Sequence, residues 1–118
     1  MKHGSSEALP FDFEGAQCAT HTHYFGQPHG TPVLALHGFT GSGADFAALA
    51  DSAKTSWCVS APDLPGHGGY QAPANLAYHG FDAARTVVAR AMGAAGWSES
   101  ALLGYSMGAR VAIDVALN

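Results

Sequence analysis

The sequence predicts an α/β fold: a mostly parallel sheet with helices on both faces. Three observations predict it. Short, continuous apolar runs end in glycine-rich turns, and segments of helical length bearing Ala, Leu and Val separate them. Apolar residues make up 47% of the 118-residue chain and charged residues 12%. That charge content is about half the usual share of a soluble domain, and it suits a core-forming chain rather than a disordered one.

Residues 1–15 read as a flexible leader, and residues 16–118 as part of a single domain. The stretch 16–25 alternates in part and carries Thr, Tyr and Phe, which predicts an exposed strand. Residues 26–31 are rich in Gly and Pro and read as a turn. Val33-Leu34-Ala35-Leu36-His37 is an apolar run of the kind that fills a central parallel strand covered on both sides. A helix is expected over 44–54, then a second buried strand over 57–61, leading into PDLPGHGG. A helix over 76–92 and a third strand over 100–105 follow. The segment from Ser106 onward is apolar on most sides and predicts a buried helix. Strands alternating with helices point to crossover connections.

Composition also excludes function classes. The formal charge is −4, and the five basic residues, Lys2, Lys54, Arg85, Arg90 and Arg110, are scattered rather than gathered into a nucleic-acid footprint. Cys18 and Cys58 make neither a disulfide framework nor a metal-ligand spacing. The first residues lack the apolar core of a signal peptide, and no apolar run is long enough to span a membrane. A cytoplasmic protein without a nucleic-acid or membrane partner is expected.

The chemistry is carried by Gly104-Tyr105-Ser106-Met107-Gly108, a G-x-S-x-G pattern entered by an apolar strand and left by an Ala-rich helix. A serine in such a turn projects its hydroxyl above the sheet edge. Gly104 and Gly108 are needed where the chain passes close to itself. The helix start adds backbone N–H groups and a positive dipole end, both favourable to a developing oxyanion. Ser106 as an ordinary N-cap would explain the serine but not both glycines. Ser106 is therefore the expected nucleophile.

Two other loops should surround it. Leu36-His37-Gly38-Phe39-Thr40-Gly41-Ser42-Gly43 can bring the Phe39 N–H beside that of Met107, giving an oxyanion hole. It lacks the G-K-[ST] ending of a phosphate loop. His37, with Gly38, is expected to hold this loop rather than act as a base, since a base must reach the proton it removes. Asp63 and His67, in the turn-rich DLPGHG, are expected to tie down loops near the pocket. Arg110 lies one helical turn after Ser106 on the same face. It is either one partner of a structural ion pair or a fork for a substrate carboxylate.

Together LHGFTGSG, APDLPGHG and LLGYSMGAR resemble the α/β-hydrolase superfamily over about residues 20–118. Within it they look most like the 2-succinyl-6-hydroxy-2,4-cyclohexadiene-1-carboxylate synthases of menaquinone synthesis. That narrower likeness rests on Phe39-Thr40-Gly41 and on Tyr105-Ser106-Met107 continuing to Arg110. The resemblance implies a Ser–Asp–His triad with Ser106 as its serine, and Arg110, with Tyr105 beside it, at the acidic substrate. Ala109 departs from it, standing where the synthases often carry a second glycine.

The family order also places the acid and the histidine after the serine. Here all seven histidines precede Ser106, and Asp114 is the sole carboxylate after it. Residues 16–118 are thus expected to be the N-terminal half of one α/β-hydrolase domain of about 250 residues, its sheet cut off after the elbow helix. Alone they should be poorly stable and inactive. Two reactions suit the machinery: a lyase eliminating pyruvate from an enolpyruvyl cyclohexene carboxylate, or ester hydrolysis through an acyl-enzyme. Neither requires a metal or an organic cofactor, and either takes a small carboxylate or ester. A nonenzymatic binding domain is the third reading, because a fold alone does not choose a function.

Overall fold

The computed structural model describes residues 3–52 and 56–118. Lys2 and Lys54 lie outside them, as does the end of the helix expected over 44–54. Five strands form one sheet in the order β1 (Ser5–Phe13), β2 (Ala16–Gly26), β4 (Trp57–Pro62), β3 (Thr31–Leu36), β5 (Ala101–Gly104). Among the described residues three α-helices accompany it: α1 (Ala47–Ser52), α2 (Phe81–Ala95) and α3 (Met107–Leu117).

The sheet is mixed, which corrects the mostly parallel sheet expected from the sequence. β1 pairs antiparallel with β2, and β2 antiparallel with β4; β3 runs parallel to both β4 and β5. Part of the cause is local. Residues 5–13, expected to belong to a loose leader, form β1, and Phe13 faces Ala16 across a two-residue turn. Glu14 and Gly15 have φ of 49° and 76°. Two positive φ values are what a tight hairpin turn needs, and a hairpin must be antiparallel. Parallel pairing is confined to strands joined through helical crossovers.

Alternation along β3 explains how both faces are filled. Leu34 and Leu36 join Leu9, Leu64, Ala84, Val88, Ala91 and Val111 in a core under α2 and α3. Val33 and Ala35 join Phe25, Phe46, Val59 and Ala61 on the opposite face, where the 3-10 turn Gly43–Phe46 leads into α1. Both sides of a strand are buried only when both sheet faces are covered.

The helix expected over 76–92 is divided. Asn75 caps a 3-10 turn, Leu76–Tyr78, by accepting the Ala77 N–H at 2.9 Å, and α2 begins after Gly80. It ends at Gly96, whose φ of 73° lets the Trp97 N–H reach back to the Met92 carbonyl at 3.0 Å. The elbow helix is not buried all round: in α3 the buried residues are Gly108 and Val111, and Ile113 and Leu117 are exposed. No helix among the described residues is long and apolar enough to cross a membrane.

Candidate active site

The parallel register Leu36↔Gly104 brings the ends of β3 and β5 side by side, so the loops that follow them emerge at the same sheet edge. The Tyr105 N–H donates to the Leu36 carbonyl at 3.0 Å, continuing the ladder into the elbow. There the chain reverses at Ser106, with φ 55° and ψ −113°, and enters α3. A side chain on Gly104 would lie 2.6 Å from the Ala109 Cα, and one on Gly108 would collide with the Leu36 carbonyl. Both glycines are therefore required by close approach of backbone.

Non-glycine residues with positive φ are Glu14, Thr40 and Ser106 among the described residues. The first belongs to the hairpin turn; Ser106 lines a depression, and Thr40 directly follows Phe39, which lines it too. Such conformations cost on the order of 1–3 kcal/mol each and persist where the surroundings enforce them, typically at functional sites.

That depression has a volume of about 450 Å³ and is lined by Phe39, Ser106, Met107 and Arg110. Four residues that sequence reasoning assigned to nucleophile, oxyanion donors and anion binding thus meet at one place. Ser106 and Arg110 are exposed. Arg110 forms no ion pair among the described residues, so the alternative of a structural pair is not realised there. The basis for expecting such a pair, a buried helix, fails at this position.

Tyr105 lies beside the site rather than in it. It is 70% exposed, its ring rests over Gly38, and it lines an adjoining depression with His37, Gly38, Asp45 and Phe46. Asp114 is occupied elsewhere: the Arg85 guanidinium of α2 donates to it at 2.6 Å and also bonds Asp82. None of the seven histidines lines the Ser106 depression.

The supporting loops are held by buried polar groups. His37 is 1% exposed; its Nε2 accepts the Leu64 N–H at 2.9 Å and its Nδ1 lies 2.8 Å from the Gly38 carbonyl. Accepting at Nε2 places its proton on Nδ1, and burial pushes the ring's pKa down, keeping it neutral. Both nitrogens are committed to backbone, which leaves no lone pair for general-base work. The Asp63 carboxylate accepts the Gly43 N–H at 2.8 Å, the Gly69 N–H at 2.9 Å and His23 Nε2 at 3.0 Å. Burial raises its pKa, but the His23, Gly69 and Gly43 bonds outweigh burial and hold it below the usual carboxylate value. His67 bonds the Pro65 carbonyl through Nδ1 at 2.9 Å and accepts the Thr40 N–H at Nε2 at 3.3 Å.

Sequence reasoning missed His23 as the partner of Asp63 and Thr40 as a strained residue. The first pair is 40 residues apart, so no local spacing announces it. Groups of His, Cys, Asp and Glu suited to a metal ion are absent among the described residues.

Known proteins resemble this chain in sequence and fold. A serine hydrolase-like protein from Danio rerio is 33% identical over 88 residues, covering 75% of this chain and 27% of its own length. A 2-succinyl-6-hydroxy-2,4-cyclohexadiene-1-carboxylate synthase from Klebsiella pneumoniae is 34% identical over 91 residues, covering 77% of this chain and 34% of its own. The chain therefore spans about a third of the length of these relatives. Among solved structures, the thioesterase domain from the curacin biosynthetic pathway is 26% identical, with a TM-score of 0.74, over 95% of this chain and 41% of that one. A family model for the alpha/beta hydrolase fold matches residues 31–118. The chain belongs to the α/β-hydrolase fold family.

Proposed function

We propose that this chain supplies the nucleophile, the oxyanion hole and an anion-binding group of a serine hydrolase acting on small esters that carry a carboxylate. The observation that carries this reading is the convergence on one open depression of Ser106, Phe39, Met107 and Arg110, which has no ion-pair partner among the described residues. In this reading the Ser106 hydroxyl attacks the acyl carbon while a histidine takes its proton. The charge on the carbonyl oxygen is met by the Phe39 and Met107 N–H groups, and the protonated leaving group departs. Water then attacks the acyl-enzyme and restores Ser106. Arg110 holds the substrate carboxylate through its fork of donors. The base and its acid come from outside residues 1–118, which form the N-terminal part of the catalytic domain.

A second reading is supported by the Klebsiella pneumoniae synthase, 34% identical. In it the same histidine removes a ring proton, pyruvate leaves from an enolpyruvyl cyclohexene carboxylate, and a ring double bond forms. Ser106 then supports proton transfer without being acylated. The two readings separate in one experiment on the full-length protein. Ester turnover abolished by Ser106→Ala, with labelling of Ser106 by a fluorophosphonate, supports the hydrolase. Pyruvate release without ester turnover supports the lyase. If Ser106→Ala retains whichever activity is found, both readings fail.

A further inference from the structure

We infer that His67 is a positioning residue for the oxyanion hole, acting with His37 to aim the Phe39 N–H; this rests on the catalytic reading proposed above. The two peptide groups around Phe39 are each held by an imidazole nitrogen. The Gly38 carbonyl accepts from His37 Nδ1 at 2.8 Å and from the Gly41 N–H at 3.0 Å. Every described peptide is trans, so the Phe39 N–H, in the same peptide as that carbonyl, points the opposite way. The next peptide is fixed from its other end, where the Thr40 N–H donates to His67 Nε2.

The His67 ring can do this in one state. Its Nδ1 faces the Pro65 carbonyl at 2.9 Å, so Nδ1 carries the proton and Nε2 keeps the lone pair that Thr40 requires. The ring is braced edge-on by His37 at 5.0 Å and by Phe39 at 5.7 Å between centroids. Thr40 itself sits at φ 65°, a conformation that a threonine leaves unless something holds it. His67 supplies that restraint from a loop 27 residues away. Without it the Phe39–Thr40 peptide is free to rotate about the Phe39 Cα, the adjoining Gly38–Phe39 peptide keeps His37 as its one imidazole restraint, and the Phe39 N–H is aimed less firmly.

The test uses the full-length protein with a neutral p-nitrophenyl ester. His67→Phe keeps a ring against His37 and Phe39 but removes the acceptor; His67→Gln restores a carbonyl oxygen near the Nε2 position. The expected result is a fall in kcat of at least about tenfold in His67→Phe with KM within about twofold, because a misaimed oxyanion donor affects the transition state rather than ground-state binding. His67→Gln should recover to within about threefold of wild type, and Thr40 amide exchange should quicken in the first variant and return in the second. Unchanged kcat in a folded His67→Phe, or no rescue by His67→Gln, overturns the assignment. If His67→Phe does not fold, nitrogen-15 spectra of the wild type decide: the assignment requires an unprotonated Nε2 on His67 at pH 8 and fails if that nitrogen bears the proton. Should wild type turn over no better than Ser106→Ala, the catalytic reading fails, and the tautomer and Thr40 exchange still judge the latch by themselves.

Discussion

Gly108 packs directly against the carbonyl of Leu36, with no room between them for a methyl group. The contact joins the first turn of α3 to the end of β3, and it sets the height of Ser106 above the sheet. Gly108→Ala should therefore destabilise the fold by about 1–3 kcal/mol, the usual range for overpacking a well-packed site. Gly93→Ala is the opposite case. Gly93 lies inside α2 with open space around it, so alanine should stabilise by about 0.5–1 kcal/mol through helix propensity. Urea denaturation of both variants checks the signs. Equal effects would show that backbone entropy, not the Leu36 contact, governs Gly108.

Asp114 is the one carboxylate that follows Ser106 in the sequence, and its Arg85 contact ties α3 to α2. The pair is partly solvated, so Asp114→Asn should cost about 1 kcal/mol or less, and the cost should shrink in high salt. The same variant should leave fluorophosphonate labelling of Ser106 unchanged. A loss of labelling with the fold intact would make Asp114 a catalytic acid instead.

The elbow was legible because its chemistry is local: two glycines and a serine at fixed spacing, between a strand and a helix, describe a close approach that the structure then realises at Leu36 and Ala109. The first hairpin was equally local and was missed. Leu9 and Phe11 are buried while Ala8, Pro10 and Asp12 are exposed, a period of two that continues to a two-residue turn ending in Gly15. Reading that stretch as leader removed an antiparallel pair, and with it the mixed character of the sheet. The pairing of Asp63 with His23, and of Thr40 with His67, could not be read from spacing. Each joins segments dozens of residues apart: the first depends on the sheet order that brings β2 beside β4, the second on the pairing of β3 with β4.

His37 and Asp63 make stability fall with acidity in two steps. The His37 pKa is lowered, so between its folded value and the ordinary value of about 6.5 the unfolded chain binds the extra proton. Its contribution is fully present above that ordinary value and is lost as pH falls through the folded one. The lowered Asp63 pKa acts in the same direction, beginning below the ordinary value of about 3.9. One proton gives a slope of up to about 1.4 kcal/mol per pH unit. Melting temperatures of wild type and His37→Gln between pH 8 and pH 5 should converge as pH falls. Parallel curves would show that the His37 ring takes up protons equally in both states.

Arg110 is exposed at the depression with no carboxylate of the described chain to neutralise it. A guanidinium in that position adds affinity for a substrate anion but nothing for a neutral ester. Arg110→Ala should therefore raise KM for a monoanionic half-ester by about ten- to a hundredfold, as expected for a lost charge-assisted bond of roughly 1.5–3 kcal/mol. Hydrolysis of the matched neutral ester should change by less than about threefold. Arg110→Lys keeps the charge but not the fork, and should recover part of the loss. Steady-state kinetics of the full-length protein with both esters measure the difference. Equal losses on the two substrates would assign Arg110 to the packing of the elbow helix, and would leave the proposed preference for acidic substrates without a residue to carry it.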